Sequence, residues 1–415
     1  MSNTALPPLN PETRMLIDGQ LVPAASGKTY NNVNPADNSV AGVCADAGPE
    51  DMEVAIAAAR RAFDESDWST NHAFRAKCLR QLRDAIKAHA DELRYLMVAE
   101  VGAPLGLTYG PQTDIPISFI DWPIEYLEQF EWERELPTVN VVGVPSKRLV
   151  WKEAAGVVAA ITPWNFPLQI NLAKIIPALA AGCTVILKPA PDTPWTATFI
   201  GKMVAEHTDI PSGVFNVVTS QDPAVLGDML TGDPRIDVIS FTGSTGIGKH
   251  IMKRGADTVK KVFLELGGKS AHIILDDADV GFASFMCISV CFNAGQGCAL
   301  ATRMLVPHSL YDQAVETAKS VFESIKLGDP MSRDQIMGPL ANKRQQMRVL
   351  EYIEKGKAEG ARLVCGGAVP EGLEKGCYVL PTIFADVSND MTIAQEEIFG
   401  PVLCIIPYDT EEDAI

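Results

Sequence analysis

The sequence predicts an α/β protein: a doubly wound parallel sheet, a second α/β unit behind it, and a β-hairpin ahead of the sheet. Three observations carry this. Short apolar runs alternate with helix-spaced runs from Gly156 to Leu266. Those runs are largely continuous in apolar residues rather than apolar at every second position, so both faces of the sheet must be covered. The same alternation resumes near Ala271 and continues to Ile415. A chain of 415 residues has room for roughly two to three domains.

Along the chain, about Pro49 to Val101 reads as two helices, Met52–Phe63 and Ala73–Val101, closed by Gly102 and Pro104. A proline-rich stretch follows, from Pro104 to Pro123. Residues 139–144 and 147–152 alternate around Pro145-Ser146, a hairpin signal. Strands are then expected at Gly156–Ile161, Cys183–Leu187, Val214–Val218, Ile236–Phe241 and Val262–Leu266. The helices between them are Pro167–Ala181, Thr193–His207, Pro223–Leu230 and Ser244–Gly255. In the second unit a strand is expected at Arg303–Pro307 and a helix at Tyr311–Lys326.

With 47% apolar and 21% charged residues, the composition excludes a disordered or fibrous chain. A net charge of −17 repels phosphate backbones, which argues against nucleic-acid binding. Met1–Pro8 has neither the basic start nor the apolar core of a secretion signal. The longest apolar stretch, Ile175–Leu187, is interrupted by Pro177 and Gly182 and is too short to span a bilayer. Nine cysteines without a C-x-x-C pair read as reduced thiols in a cytoplasm. Cys287 and Cys291, one helical turn apart, read as buried and inert. The six histidines are scattered, so no metal site is expected.

Four features carry chemistry. Gly243-Ser-Thr-Gly-Ile-Gly248-Lys249 follows a strand and opens a helix, which suits a pyrophosphate. Its glycine spacing is not that of the dinucleotide fingerprint, and His250 stands where a P-loop needs Ser or Thr for magnesium. A plain strand-to-helix turn is the third reading. Cys298, flanked by Gly295 and Gly297, has the accessible backbone a thiol nucleophile needs, although a lone cysteine is more often a small buried hydrophobe. Glu265 lies in an apolar run, where burial would raise its pKa and suit a general base; an exposed strand-end glutamate is the plainer reading. Asn165 offers an amide for an oxyanion, or simply forms a turn between two prolines. All four lie at carboxyl ends of expected parallel strands, where open α/β sheets bind ligands.

Six segments together resemble the NAD(P)-dependent aldehyde dehydrogenase superfamily over essentially the whole chain. They are Ile161-Thr-Pro-Trp-Asn-Phe-Pro-Leu168, Leu187-Lys-Pro-Ala190, Phe241-Thr-Gly-Ser-Thr-Gly-Ile-Gly248, Leu264-Glu-Leu-Gly-Gly-Lys-Ser270, Gly295-Gln-Gly-Cys298 and Glu396-Glu-Ile-Phe-Gly-Pro-Val402. The resemblance implies oxidation of an aldehyde to an acid through a cysteine thiohemiacetal and thioester. Cys298 would be the nucleophile, with Asn165 and the Cys298 N–H holding the oxyanion. Glu265 would be the base that activates water, and Lys174 a lysine near the site. For the cofactor, Lys188 matches the adenosine-ribose contact, Ser244 the pyrophosphate contact, and Glu397 and Phe399 the nicotinamide-ribose clamp. Ile161, Thr162, Trp164, Gly227, Gly243, Thr245, Gly248, Leu266 and Gly267 match backbone or packing contacts, with Gln345 and Arg348 as further candidates. Phe166, Ile170, Ala173, Gly297 and Ala299 match the substrate pocket; their generally small size implies a roomy apolar pocket for medium or bulky hydrophobic aldehydes.

The implied architecture is a dinucleotide-binding domain (1–135 and 156–266), an oligomerisation hairpin arm (136–155) and a catalytic domain (267–415). Partners would be a small aldehyde and copies of the chain, as homodimer or homotetramer, with no nucleic acid or membrane. Two features depart from the family pattern. Pro191 stands where many NAD-using members carry a glutamate that accepts from the ribose 2′-hydroxyl. Asp192 is a candidate substitute, and its charge disfavours a 2′-phosphate, so NAD is expected over NADP. Family members also continue for several tens of residues past the point matching Ile415. The resemblance therefore implies an uncovered sheet edge there, and a chain less stable and less active than an extended version. Two other readings compete. A P-loop hydrolase lacks its magnesium residue. A catalytically silent relative with a binding or structural role is opposed by the joint presence of Asn165, Glu265 and Cys298.

Overall fold

The computed structural model describes residues 9–415; the Met1–Pro8 segment, read above for the absence of a secretion signal, lies outside the described residues. The strands in chain order are β1 (Met15–Ile17), β2 (Gln20–Val22), β3 (Thr29–Val33), β4 (Val40–Ala45), β5 (Glu133–Val141), β6 (Val144–Trp151), β7 (Val157–Ile161), β8 (Thr184–Lys188), β9 (Phe215–Val217), β10 (Val238–Gly243), β11 (Lys261–Leu266), β12 (Ala271–Ile273), β13 (Arg303–Pro307), β14 (Arg362–Cys365), β15 (Thr382–Ala385) and β16 (Val402–Tyr408). The first sheet has the order β11-β10-β7-β8-β9-β1-β2. Its strands β11 to β9 are parallel, and β1 and β2 extend it antiparallel.

Alternate residues of the central strands go to different cores. Val158 and Ala160 of β7 pack with Leu168, Leu172, Ile175 and Leu179 of helix Pro167–Ala180. Val157 and Ala159 pack with Met52, Ala55 and Ile56 of helix Pro49–Glu65 and with Leu226 of helix Pro223–Gly232. The period-2 geometry of a strand thus serves helices on both faces, which is why these runs are apolar throughout. Each fully buried Val, Leu or Ile contributes roughly 1.5–3 kcal/mol. From β7 the chain steps to β8 and β9, then returns past β7 to β10 and β11. The strand order therefore reverses between β7 and β10, the point at which open α/β sheets form their ligand crevice at the carboxyl ends.

The second sheet, β12-β13-β16-β15-β14, has its own core, built with helices Tyr311–Glu323 and Lys343–Ala358. No helix among the described residues is long and apolar enough to cross a membrane.

Several expectations shift in detail. The stretch expected as one helix over Ala73–Val101 is two, His72–Ala88 and Ala90–Val101, broken where His89 turns out of helical geometry and its ring meets the Ala85 carbonyl at 2.8 Å. The helix expected to reach Lys326 ends at Glu323. The hairpin turns at Val142-Gly143 (φ +50° and +82°), not at Pro145-Ser146, which pair with Asn140 and Val139 inside β6. A proline is tolerated there because a two-stranded ribbon leaves outward N–H positions unpaired anyway. The proline-rich stretch carries short helices, including Asp114–Ser118 and Asp121–Gln129.

Candidate active site

Register alone assembles one wall of the crevice. Ile161 pairs with Lys188 and with Phe241, and Gly243 pairs with Leu266. The carboxyl ends of four neighbouring strands therefore lie along one edge. Lys188 is buried there, and burial pushes its ammonium down to about 8 against the pull of Asp222. Thr162 donates its N–H to the Lys188 carbonyl at 3.2 Å, while its hydroxyl is buried without a partner. Ser244 caps helix Thr245–Gly255, its Oγ accepting from Ile247 N–H at 3.5 Å. Gly248 lets that helix close on β11, because a Cβ there would lie 2.8 Å from the Leu266 side chain. Open space lies beside Gly246 and Gly227. The near-match to a P-loop ends at His250, whose ring meets Asp228 of the neighbouring helix at 3.0 Å.

The other wall comes from the second unit. Glu397 reaches over the end of β11, accepting from Gly268 N–H at 3.3 Å. It packs directly on Gly267, where a Cβ would lie 1.9 Å from Glu397 Oε2 and displace the carboxylate. The Phe399 ring packs edge-on against Trp164, centroids 5.3 Å apart. Asp192 is held by the second unit. Its carboxylate accepts from Asn342 Nδ2 at 2.9 Å and lies 3.6 Å from Arg344, beside a cavity of about 420 Å³ lined by Tyr30 and Asn32.

Cys298 follows a strained loop. Asn293, Ala294 and Gly295 have φ of +50°, +54° and +73°. Two non-glycine residues in this region cost about 1–2 kcal/mol each. Hydrogen bonds hold the loop. Asn165 Nδ2 donates to the Gln296 carbonyl at 2.9 Å, and Asn293 Nδ2 donates to the Asn165 carbonyl at 2.9 Å. Gln112 Nε2 bridges the Asn165 carbonyl (3.0 Å) and Asn293 Oδ1 (3.2 Å). Gln296 accepts from Ala341 N–H at 2.8 Å. An amide nitrogen carries two protons, and the bond to the Gln296 carbonyl uses one of those on Asn165. Cys298 is exposed, as a nucleophile requires, whereas Cys287 and Cys291 are buried.

Lys174 donates to Ser240 Oγ at 3.0 Å. Burial pushes its ammonium down to about 8, with Glu265 pulling the other way. Glu265 itself is exposed on edge strand β11, opposite Thr242. It is solvated, not sunk in an apolar run, because the side chains of β11 alternate between exposed and half-buried. The Lys174 shift has a testable sign. Between about pH 8 and the usual 10.5, the folded chain binds fewer protons than the unfolded one, so stability rises with pH. Below pH 8 the buried charge opposes folding in full. Lys174→Met is therefore expected to stabilise by roughly 1–3 kcal/mol at pH 7, with the gain fading by about pH 10. Urea unfolding at the two pH values reads this; an equal gain at both would contradict it.

Beside helix Pro167–Ala180 lies an apolar cavity of about 240 Å³ lined by Ala173, Leu172, Ile176, Phe119 and Trp122 among others. Of the five expected pocket residues, Ala173 lines it. Phe166 and Ile170 stand at the start of the same helix, and Gly297 and Ala299 flank Cys298.

A profile of the aldehyde dehydrogenase family matches residues 21–415. The chain belongs to that family. It is 42% identical over 403 residues to 3-succinoylsemialdehyde-pyridine dehydrogenase of a Pseudomonas species, covering 96% of this chain and 82% of the relative. Aldehyde dehydrogenase family 2 member C4 of Arabidopsis thaliana is 38% identical, with 97% and 79% covered. Among solved structures, aldehyde dehydrogenase C of Pseudomonas syringae, a cysteine-to-alanine variant complexed with NAD+ and octanal, superposes with a TM-score of 0.91 at 36% identity, covering 98% and 82%. Betaine aldehyde dehydrogenase of Staphylococcus aureus in complex with NAD+ gives 0.93 at 34% identity, covering 100% and 82%.

In this family member the fold joins Asn165 to the Cys298 loop, Lys174 to the Glu265 face of the sheet, and Glu397 and Phe399 to Gly267 and Trp164. Gln345 and Arg348, expected at the cofactor, bind carbonyls of the Glu397 turn. Sequence reasoning missed Gln112, Asn293, Gln296 and Ser240. Gln296 lies inside the Gly295–Cys298 motif and Asn293 two residues ahead of it, but Gln112 lies in a proline-rich stretch with no period to mark it.

Proposed function

We propose that this chain oxidises aldehydes to carboxylic acids with NAD+. The observation that carries the reading is the hydrogen-bonded junction of the Asn165 turn with the Cys298 loop, beside a crevice shaped for a dinucleotide. The crevice fits the cofactor on two grounds: the unpartnered buried hydroxyl of Thr162 and the open helix start at Ser244–Gly246. Lys188 and Glu397 would hold its two riboses, and the helix start its pyrophosphate.

The Cys298 thiolate adds to the aldehyde carbonyl, and the Asn165 amide with the Cys298 N–H stabilises the oxyanion. NAD+, when bound, supplies the acceptor for the hydride that the thiohemiacetal gives up as it becomes a thioester. Glu265 then takes a proton from water, whose oxygen attacks the thioester carbonyl and releases the acid.

The domain division proposed is 1–135 with 156–266, the arm 136–155, and 267–415. Its support is two separate cores, with the arm strand starting slightly earlier, at Glu133. The ribbon β5–β6 exposes Val141, Val142, Val144 and Trp151, which suits contact between copies in a homodimer or homotetramer. Nine free thiols suit a reducing cytoplasm.

The test follows absorbance of reduced nicotinamide with straight-chain aldehydes, using NAD+ and NADP+ in turn. In the apolar cavity each added methylene is expected to raise kcat/KM by about fourfold until the space is filled. Ala173→Trp fills that space and is expected to cut octanal turnover by about 10–200-fold while sparing acetaldehyde. A profile peaking at two carbons sinks the substrate reading, and no reduction with any aldehyde sinks the enzymatic one.

A further inference from the structure

The turn Glu396–Gly400 has no regular structure to hold it, and Phe399 stands at φ +62°, a strained position for any residue but glycine. Three successive carbonyls of the turn are instead taken by side chains of one helix face. Gln345 Nε2 donates to the carbonyls of Phe399 (2.8 Å) and Ile398 (3.2 Å), and Arg348 Nη2 donates to that of Glu397 (2.8 Å). One turn further along, the Tyr352 hydroxyl accepts from Arg348 at 3.2 Å and donates to Glu396 Oε2 at 2.5 Å. The Arg348 guanidinium lies 4.8 Å over the Tyr352 ring. Positions 345, 348 and 352 share one face because they are spaced three and four apart. Successive rungs of the helix thus grip the turn from Phe399 back to Glu396.

The same helix is anchored on both other parts of the site. Asn342 caps its start, accepting from Gln345 N–H at 2.8 Å, and also donates to Asp192, four residues beyond Lys188. On the far side, Gly400 presses against Val349, where a Cβ would lie 2.4 Å from Cγ2. Gly295 of the Cys298 loop presses against Gly400, where a Cβ would lie 2.1 Å from its carbonyl.

We infer that Gln345, Arg348 and Tyr352, with Glu396 as their anchor, are positioning residues: they set the place of Glu397 and act on the cofactor through it. This rests on the reading that Glu397 contacts NAD+. It assigns Tyr352 and Glu396 a role, and gives Gln345 and Arg348 an indirect one.

A double-mutant cycle on NAD+ affinity, read by tryptophan fluorescence, tests it. Arg348→Met is expected to raise the NAD+ Kd about tenfold or more, Tyr352→Phe about threefold, and Arg348→Lys to recover part of the loss. In a Glu397→Gln background, Arg348→Met is expected to add less than about twofold, because the carboxylate whose backbone Arg348 holds is already gone. Alkylation of Cys298 by iodoacetamide without NAD+ is expected to stay within about twofold of wild type, which separates a local effect from unfolding. An equal loss in both backgrounds overturns the inference, as does an unchanged Kd for Arg348→Met in a wild type that binds NAD+. A wild type that binds no NAD+ overturns the functional reading, and this inference with it.

Discussion

Cys298→Ala is expected to lower aldehyde oxidation by a factor on the order of 10⁴ or more, with NAD+ affinity within about twofold of wild type. The change removes one sulfur from an exposed position, so stability should move by less than about 0.5 kcal/mol. No other thiol can stand in. Burial pushes Cys287 up to about 12 and Cys365 up to about 11, and drives Cys291 well above the ordinary thiol range. These remain protonated at neutral pH, and only the thiolate adds to a carbonyl at a useful rate. Reduced-nicotinamide absorbance gives the turnover, and fluorescence titration gives the affinity. Turnover within tenfold of wild type would remove the covalent step, and with it the roles of Asn165 and Glu265. A loss of activity accompanied by an equal loss of NAD+ binding would point to a damaged crevice, not to missing chemistry.

The parallel strands were readable in the chain because burial on both faces demands apolar runs, and β7 (Val-Val-Ala-Ala-Ile) and the Val-Ile-Leu centre of β8 supply them. Strands β1 and β2 were not readable. At three residues each they are too short to display a period; β1 is placed by pairing with β9 across some 200 positions, and β2 by pairing with β1. The hairpin was legible but its turn was not. Proline drew attention to 145, while the backbone reverses where Gly143 takes a positive φ. At the site, Cys298 and Asn165 stood out through neighbouring glycines and prolines. Of the two readings of Glu265, the exposed strand-end one holds, because an edge strand exposes what a central strand hides. Gln112 was invisible for a general reason. A side chain that works by bridging two distant loops leaves no local pattern, since its partners at 165 and 293 are fixed only by the fold.

Gly295→Ala is expected to destabilise the protein by about 2–4 kcal/mol and to cut turnover by at least about 100-fold. Two penalties coincide there. At φ +73° the backbone sits where an L side chain is strained. A Cβ would also lie 2.1 Å from the carbonyl carbon and oxygen of Gly400 and 2.4 Å from Pro401 N, so rigid backbone on one side must move. Either the Cys298 loop retreats from Asn165 or the Glu397 turn is pushed outward, and a displacement of about 1 Å is enough for a 100-fold loss. Gly297→Ala, two residues along, is the control. Its φ is ordinary, and its nearest neighbours are Leu300 side-chain carbons at 2.9 and 3.1 Å, which can rotate aside. Its cost is expected to stay below about 1.5 kcal/mol. Thermal unfolding and turnover of the two variants side by side make the comparison. Wild-type stability and turnover in Gly295→Ala would mean that the loop carrying the nucleophile is not braced against the Glu397 turn.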